Sequence, residues 1–344
     1  MRIGLVQLRA DVMAALRYWG YTADEADVVA EVLMYAQLRG STQGIVKLVG
    51  EGIPKDRQAK TPTVARETPV SALVDGRRSA GILVMARATR LCLEKAQQHG
   101  IAVVGTFNTC TGTGAIGYYA RLIAQSDLIG FACSGSPPAV CPFGTYEAIF
   151  GTNPMAVGVP TDGDPLVFDM ATAAITRYGL IEALTARKSV DGDLAYDSHG
   201  LPTCNPALAL EGAIRTFDRG PKGSGLALII EILTGPLVCA SFGGLGDANG
   251  NWGNTVAAVS PALMGELADF KRNVSALIAR IKKANPLAGF QEILVPGERE
   301  DRLAEGRIAS RELEIEERLY EELREIVARE QRVNRPGFSG GWIT

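Results

Sequence analysis

Residues 81–105 read GILVMARATRLCLEKAQQHGIAVVG, and this stretch decides the fold class. Apolar residues recur at helical spacing over residues 81–98, and Gly100 is well suited to end that helix. Residues 101–105 form a short apolar run of the kind found in buried strands, and residues 128–133 form a second one. Helices that alternate with buried strands predict an α/β protein with a mixed sheet and helices against it.

The pattern continues on both sides of this unit. Further strands are predicted at 157–160, 166–169 and 256–259, and further helices at 120–125 and from about 223 to 233.

The two ends of the chain are predicted to be helical. Residues 6–39 carry apolar positions at helical spacing, and Thr22 with Glu25 forms a capping-box pattern between two helices. Residues 299–332 are strongly charged with leucine and isoleucine at helical spacing, which predicts one or two amphipathic helices. Residues 54–69 are polar and contain proline, so we expect a linker or crossing loop there.

Composition excludes several classes of partner. The 344 residues are 47% hydrophobic with a net charge of −3, so a sizeable core is expected and no basic surface for nucleic acid. No apolar run approaches the roughly 20 residues of a membrane span, and the N-terminus lacks a secretory pattern. The six cysteines show no C-x-x-C pair, which is typical of reduced thiols. We therefore expect a cytoplasmic protein.

Histidine is scarce, and this limits the available chemistry. The only two, His99 and His199, lie far apart without an acidic cluster beside them, so no metal site is predicted. His99 is expected to interact with the end of a helix and His199 to lie in a loop.

Two glycine-rich segments are candidates for binding phosphate. Residues 112–117 have the spacing G-x-G-x-x-G after the strand at 101–105, but the acidic residue of a Rossmann site is missing. They therefore indicate either phosphate contact or a loop that needs small residues. Lys222 and Gly223 open a helix, where amides and one lysine suit a pyrophosphate, although an exposed turn explains the pattern equally well.

An ordered set of motifs resembles the type-2 malate/L-lactate dehydrogenase family, which includes ureidoglycolate and sulfolactate dehydrogenases, diketogulonate reductase and cyclic-imine carboxylate reductases. The motifs are LRG and TQG within 38–44, VDG at 74–76, GYYA at 117–120, PFG at 142–144, GTNP at 151–154, DMAT at 169–172, KGSGLAL at 222–228 and VPGE at 295–298.

The resemblance implies a fold, a cofactor and an assembly. The fold class is α/β, with a non-Rossmann NAD(P)-binding mixed-sheet domain over residues 73–285 and a helical dimerisation lobe from residues 1–72 and 286–344. A homodimer with its active site between domains is implied as well. The cofactor-binding residues carried over are Gly112, Gly151, Thr152, Asn153, Pro154, Asp169, Ala171, Thr172, Lys222 and Gly223.

The departures from the family pattern are concentrated in the catalytic pocket. The family's Ser-His-Gly is Thr42-Gln43-Gly44 here, and glutamine has no pKa in the working range. The family's arginine clamp for a carboxylate is Lys47, which can hold a carboxylate only as a point charge. A second histidine is replaced by Thr111 or Gly112, and a third by Asn254.

These departures predict an NAD(P)H-dependent reductase of a small imine or 2-oxo compound, with a biosynthetic role, that works without the family's histidine. An iminium arrives already protonated and needs less help from a general acid than a ketone does, although a carbonyl polarised by hydrogen-bond donors is also compatible. The predicted catalytic residues are Gln43, Lys47, Asn108, Thr109, Cys110 and Thr111. Cys110 is interpreted as a weak acid, a nucleophile or simply a buried residue.

Two other classes of function stay open: an inactive metabolite-binding protein, and a cofactor-bound enzyme whose net reaction is a cyclisation or isomerisation.

Overall fold

The computed structural model describes residues 1–50, 52–246 and 250–333. The helices are α1 (Leu5–Tyr18), α2 (Ala23–Leu38), α3 (Gly81–His99), α4 (Gly117–Gln125), α5 (Arg177–Thr185), α6 (Pro206–Glu211), α7 (Pro221–Thr234), α8 (Leu267–Lys282), α9 (Glu298–Ser310) and α10 (Glu317–Val333). Short 3₁₀ turns occur at Ile45–Leu48, Pro236–Val238 and Pro261–Leu263. The strands are β1 (Arg2–Gly4), β2 (Thr63–Thr68), β3 (Ser71–Asp75), β4 (Ile101–Thr109), β5 (Ile129–Ser134), β6 (Met155–Val159), β7 (Leu166–Met170), β8 (Ala195–Tyr196), β9 (Ala213–Ile214), β10 (Trp252–Val259) and β11 (Glu312–Glu314).

A seven-stranded mixed sheet forms the centre of the molecule. Its order is β2-β3-β4-β10-β5-β6-β7, with β3 and β4 parallel and every other pair antiparallel. The mixed sheet expected from the alternation of helices and strands is therefore confirmed. Helix α3 ends at Gly100 in the left-handed conformation (φ 79°), as the glycine predicts, and β4 begins at the next residue.

One face of the sheet carries the main core. Val256 in the middle of β10 lies opposite Val104 of β4 and Ala132 of β5, and all three are fully buried. They belong to a single apolar cluster that also contains buried residues of α1, α2, α3 and α4. The sheet and these four helices are thus held together chiefly by the burial of apolar side chains.

The chain ends meet. Strands β1 and β11 pair antiparallel, and the Met1 ammonium donates to the Ile315 carbonyl at 2.9 Å. Helices α1 and α10 pack together, with Arg17 donating to Glu330 at 2.8 Å. Between α1 and α2, the capping box of Thr22 and Glu25 is present as predicted.

Two stretches differ from the sequence predictions, and a third agrees with them. The expected linker is wrong for Thr63–Thr68, which is edge strand β2 paired with β3, so the hairpin crosses the lobe boundary predicted at residue 72. Its side chains are mostly exposed and lack apolar alternation, which hid the strand. Helix α8 was not predicted, and it contains no buried residue. The charged tail forms two helices, α9 and α10, separated by β11, which confirms the predicted one or two helices.

Within the described ranges, no helix combines the length and the apolar character needed to cross a membrane. The same residues contain no group of three or more histidine, cysteine, aspartate or glutamate side chains placed to hold a metal ion.

Candidate active-site cleft

A cleft of about 1060 Å³ lies where the ends of several elements converge. Its walls come from residues 35–47, from the segment 111–116 after β4, from 134–139 after β5, from the end of β7 and the start of α5, and from the start of α9. A volume of this size is at the upper end for small-molecule sites and suits a long ligand.

Eight of the predicted site residues line this cleft. They are Gln43, Lys47, Thr111, Gly112, Thr152, Pro154, Asp169 and Ala171. Both histidines of the chain, His99 and His199, lie elsewhere. The cleft therefore brings together residues more than 120 positions apart in the sequence, without an imidazole among them.

The turn after α2 positions Gln43 and Lys47. The Gln37 side chain reaches forward and accepts a hydrogen bond from the Ile45 N–H at 3.1 Å. A Cβ at Gly44 would lie 2.3 Å from Gln37 Oε1, so this position needs a glycine. Because Gln37 and Gly44 hold the 3₁₀ turn against α2, the turn carries Lys47 inward.

Lys47 is a buried amine with no counter-ion among the described residues. Its side chain is 1% exposed, and its Nζ lies 3.5 Å from the centroid of the Tyr178 ring. No ion pair or hydrogen bond links the ammonium to another residue in the described part of the chain. Desolvation lowers the pKa of Lys47 from 10.5 to about 7, so the amine is present in both protonation states near neutral pH.

Asp169, near the end of β7, lines the cleft and caps the N-terminus of α4. Its Oδ2 accepts a hydrogen bond from the Gly117 N–H at 2.8 Å. The surrounding protein raises the pKa of Asp169 to about 6, and the hydrogen bond from Gly117 opposes that shift. Gly112 lines the cleft, but the helix N-terminus that follows it is satisfied by Asp169. The phosphate role of residues 112–117 therefore needs a correction: α4 does not offer its first amide.

Lys222 and Gly223 need a similar correction. The Asp218 carboxylate accepts hydrogen bonds from the N–H groups of Gly220 and Gly223, each at 2.9 Å. Lys222 is exposed and neither residue lines the cleft. The anion site that the sequence predicts at the start of α7 is thus filled by the chain's own carboxylate. An aspartate just ahead of a helix start is a capping signal, and it is visible in the sequence.

The structure also places Asn108, Thr109 and Cys110 outside the cleft. Asn108 donates to Asp75 at 2.9 Å, and Thr109 donates to the Trp252 carbonyl. The Cys110 Sγ lies 3.7 Å from an oxygen of Asp56, and burial raises the pKa of its thiol. Of the predicted segment 108–111, only Thr111 reaches the cleft, because the three residues before it bond back to the sheet and its neighbours.

Gly151, Asn153 and Thr172 support the cleft wall from behind. Asn153 is fully buried and donates to Glu231 of α7 at 2.6 Å and to the Ala227 carbonyl at 3.0 Å. The Gly151 N–H donates to the same carboxylate at 3.4 Å. Thr172 donates its hydroxyl to the Thr152 carbonyl at 3.2 Å. The loop thus presents Thr152 and Pro154 to the cleft while these residues anchor it.

Sequence reasoning missed a charged cluster at one side of the cleft. Arg39 stacks on Tyr35, with its guanidinium carbon 3.9 Å from the ring centroid, and donates to Asp301 at 2.7 Å. Arg121 of α4 donates to the same carboxylate at 2.9 Å. The only available signal was the position of Arg39 in the LRG motif, since the partner lies 262 residues further along the chain.

We expect Asp301→Asn to lower the free energy of unfolding by about 2 kcal/mol, because two mostly buried guanidinium groups lose their shared counter-ion. Urea denaturation measures this change. Glu305→Gln, an exposed site on the same helix, is the control and is expected to change little. Equal stabilities of the two variants would show that Asp301 does not hold α9 in place.

The comparisons with known proteins agree with this fold. The malate/L-lactate dehydrogenase family matches residues 3–324. A solved structure of sulfolactate dehydrogenase from Methanocaldococcus jannaschii is 34% identical with a TM-score of 0.79, covering 96% of this chain and 98% of its own.

Two curated relatives extend the range of substrates. Ureidoglycolate dehydrogenase (NAD(+)) of Escherichia coli O157:H7 is 31% identical over 88% of this chain and 89% of its own. Delta(1)-pyrroline-2-carboxylate reductase 1 of Burkholderia ambifaria is 35% identical over 69% of this chain and 71% of its own. Chains similar to this one thus act on hydroxy acids and on a cyclic imine.

Proposed function

Because the chain belongs to the malate/L-lactate dehydrogenase family and is an oxidoreductase of that family, we propose that it is an NAD(P)H-dependent reductase. Its proposed substrate is a small compound with a C=N or C=O bond next to a carboxylate, and a cyclic imine carboxylate is favoured.

The observation that carries this proposal is the combination of a buried Lys47, which has no ion-pair partner among the described residues, with a cleft that contains no histidine. Reduction of a ketone needs a proton at oxygen as the hydride arrives, and an imidazole commonly supplies it as a general acid. An imine nitrogen is more basic than a ketone oxygen and therefore makes a smaller demand on the protein. The relative from Burkholderia ambifaria, named for a cyclic imine, supports the same substrate class.

The cleft fits a dinucleotide in size and in the chemistry of its walls. Gly112 and Gly135 line the cleft. A Cβ at Gly112 would lie 2.9 Å from Lys47 Nζ, and a Cβ at Gly135 would lie 2.9 Å from Thr234 Oγ1, so both positions favour a residue without a side chain. Arg299 lines the cleft, is 80% exposed and pairs with Glu300 at 2.7 Å, and it is the group proposed to meet a phosphate. When bound, the reduced nicotinamide supplies the hydride. The NAD(+) in the name of the Escherichia coli relative supports this cofactor class.

Titration of the purified protein with NADH and with NADPH, followed by nicotinamide fluorescence, tests the cofactor. We expect saturable binding of at least one, reversed by the matching oxidised form. Absence of binding would leave a metabolite-binding protein that keeps the fold.

A screen of cyclic imine carboxylates against 2-oxo acids, read from the loss of nicotinamide absorbance, then tests the substrate class. Faster turnover of the imines is expected. Equal turnover of 2-oxo acids at neutral pH would contradict the preference argued from the missing histidine. Stoichiometric binding of cofactor without any loss of absorbance would indicate a net non-redox reaction.

We also propose a homodimer. Helix α7 exposes Leu228, Ile229 and Ile232, whose exposed fractions are 47%, 52% and 44%. Apolar side chains grouped in this way are typical of a surface that is covered by a partner. Light scattering should give twice the chain mass, and Ile229→Glu should shift it toward the mass of one chain.

A further inference from the structure

We propose that Lys47 donates a proton to the imine nitrogen of the substrate, in place of the imidazole that this cleft lacks. The inference rests on the proposed reductase function and adds the proton donor of that same site.

The position of Lys47 is that of a group directed at a ligand. The side chain is almost completely removed from solvent, yet it lines the cleft. Its Nζ lies against the face of Tyr178, which stabilises the ammonium without taking its protons. Gly112 lies next to the Nζ, since a Cβ added there would come within 2.9 Å of it. The amine therefore lies between the Tyr178 ring and Gly112, in the wall of the cleft.

The surroundings keep the amine able to lose its proton. The 3₁₀ turn that carries Lys47 packs against α1, α2, α5 and α10. From α5 the Tyr178 ring faces the amine, and no charged side chain of any of these helices, in the residues described, forms an ion pair with it. With no carboxylate of the described residues paired to the amine, desolvation lowers the pKa of Lys47 to about 7. A proton donor works best when its pKa is near the pH at which it operates.

The proton and electron balance is simple. The N–H bond of the Lys47 ammonium breaks and a new N–H bond forms on the imine nitrogen, which becomes an iminium. The adjacent carbon would then accept the hydride that a bound reduced nicotinamide supplies, so that the product would be a secondary amine and the cofactor would be oxidised. Lys47 is left neutral, and a proton from solvent restores its ammonium. A neutral lysine also tolerates the iminium charge, which a permanently charged arginine would repel.

Lys47 differs in this respect from a carboxylate anchor, the role expected from the sequence. An anchor must remain charged, whereas burial brings the pKa of Lys47 down to about 7. Arg177 lines the same cleft, is exposed, and forms no ion pair within the described residues. A guanidinium stays charged and can bind a carboxylate through two hydrogen bonds, so Arg177 suits that task better.

The test compares two probes: Δ1-pyrroline-2-carboxylate, which must be protonated, and its N-methyl iminium derivative, which carries its charge permanently. Lys47→Met is expected to lower kcat on the first probe about a hundredfold while leaving kcat on the second in the same range. Lys47→Arg should behave like Lys47→Met, because a guanidinium does not give up its proton. Lys188→Met, at an exposed lysine outside the cleft, is the matched control.

Two further readouts separate proton donation from a structural role. Methylammonium should restore the activity of Lys47→Ala on the protonatable probe and should leave its activity on the N-methyl probe unchanged. The pH dependence of unfolding should also differ: because the pKa of Lys47 is lower in the folded state, wild-type stability rises relative to Lys47→Met between about pH 7 and 10.5.

Equal losses on both probes, or full activity of Lys47→Arg with a raised KM in Lys47→Met, would assign Lys47 to the carboxylate and overturn the proposal. Failure of methylammonium to restore the protonatable reaction would overturn it as well. These outcomes are distinct from failure of the proposed function, in which the wild-type protein neither binds a nicotinamide cofactor nor reduces the imine.

Discussion

Gly112→Ala is expected to lower kcat about a hundredfold while leaving the melting temperature almost unchanged. The added Cβ would lie 2.9 Å from the Lys47 Nζ, so the ammonium must move away from its place beside the Tyr178 ring. Such a shift has little effect on the stability of the fold, because Nζ is the flexible end of a long side chain. It lowers kcat strongly, because a proton donor displaced by about 1 Å no longer forms a hydrogen bond with its acceptor.

Steady-state kinetics with a cyclic imine and the reduced cofactor measure this effect, with a thermal melt beside them. Gly192→Ala is the matched control, because no atom comes within 4 Å of a Cβ placed there. A lowered melting temperature would indicate a packing role for Gly112. Unchanged kcat with unchanged stability would mean that the position of Lys47 does not matter for the reaction.

Asn153→Ala is expected to lower the free energy of unfolding by about 3 kcal/mol. The Asn153 amide donates to the Glu231 carboxylate and to the Ala227 carbonyl, and all of these groups are buried. Removing the amide takes one hydrogen-bond donor from the buried Glu231 carboxylate, and water does not replace it, so the folded state loses stability. Asn153 also has a positive φ of 40°, a conformation that asparagine tolerates better than alanine.

Denaturation in urea tests this, with Asn273→Ala on the exposed surface of α8 as the control. Because Asn153 anchors the loop that carries Thr152 and Pro154, weaker binding of the cofactor should accompany the lost stability. A loss equal to that of Asn273→Ala would show that the contact with Glu231 contributes nothing to the fold.

Much of the fold was predictable because its signals are local. The periodicity of residues 81–98 and the glycine at position 100 predicted α3, and the capping box of Thr22 and Glu25 predicted the start of α2. Strand β2 and helix α8 were missed for the opposite reason. Their side chains are mostly exposed, so burial leaves no apolar period in the sequence.

The site was predictable only in part. Gln43, Lys47 and Thr111 were selected from motifs, and all three line the cleft. Asn108, Thr109 and Cys110 stand next to Thr111 in the sequence but bond to the sheet and its neighbours. The positive φ of Thr111 (63°) breaks the alternation of an extended chain, and the sequence does not signal that change. The sequence indicated free backbone amides at the starts of α4 and α7. In the fold, Asp169 accepts a hydrogen bond from the first of these helices and Asp218 accepts one from the second.

The sequence by itself determined the α/β class, the family pattern and the absence of a histidine for proton transfer, since these depend on residue identity and local spacing. The tertiary structure alone decided what Lys47 can do. Its amine is desolvated by Tyr178 of α5 and by the segment around Gly112, which come from distant parts of the chain. The free energy of a charged group depends on everything that replaces its water, and that environment exists only in the folded protein.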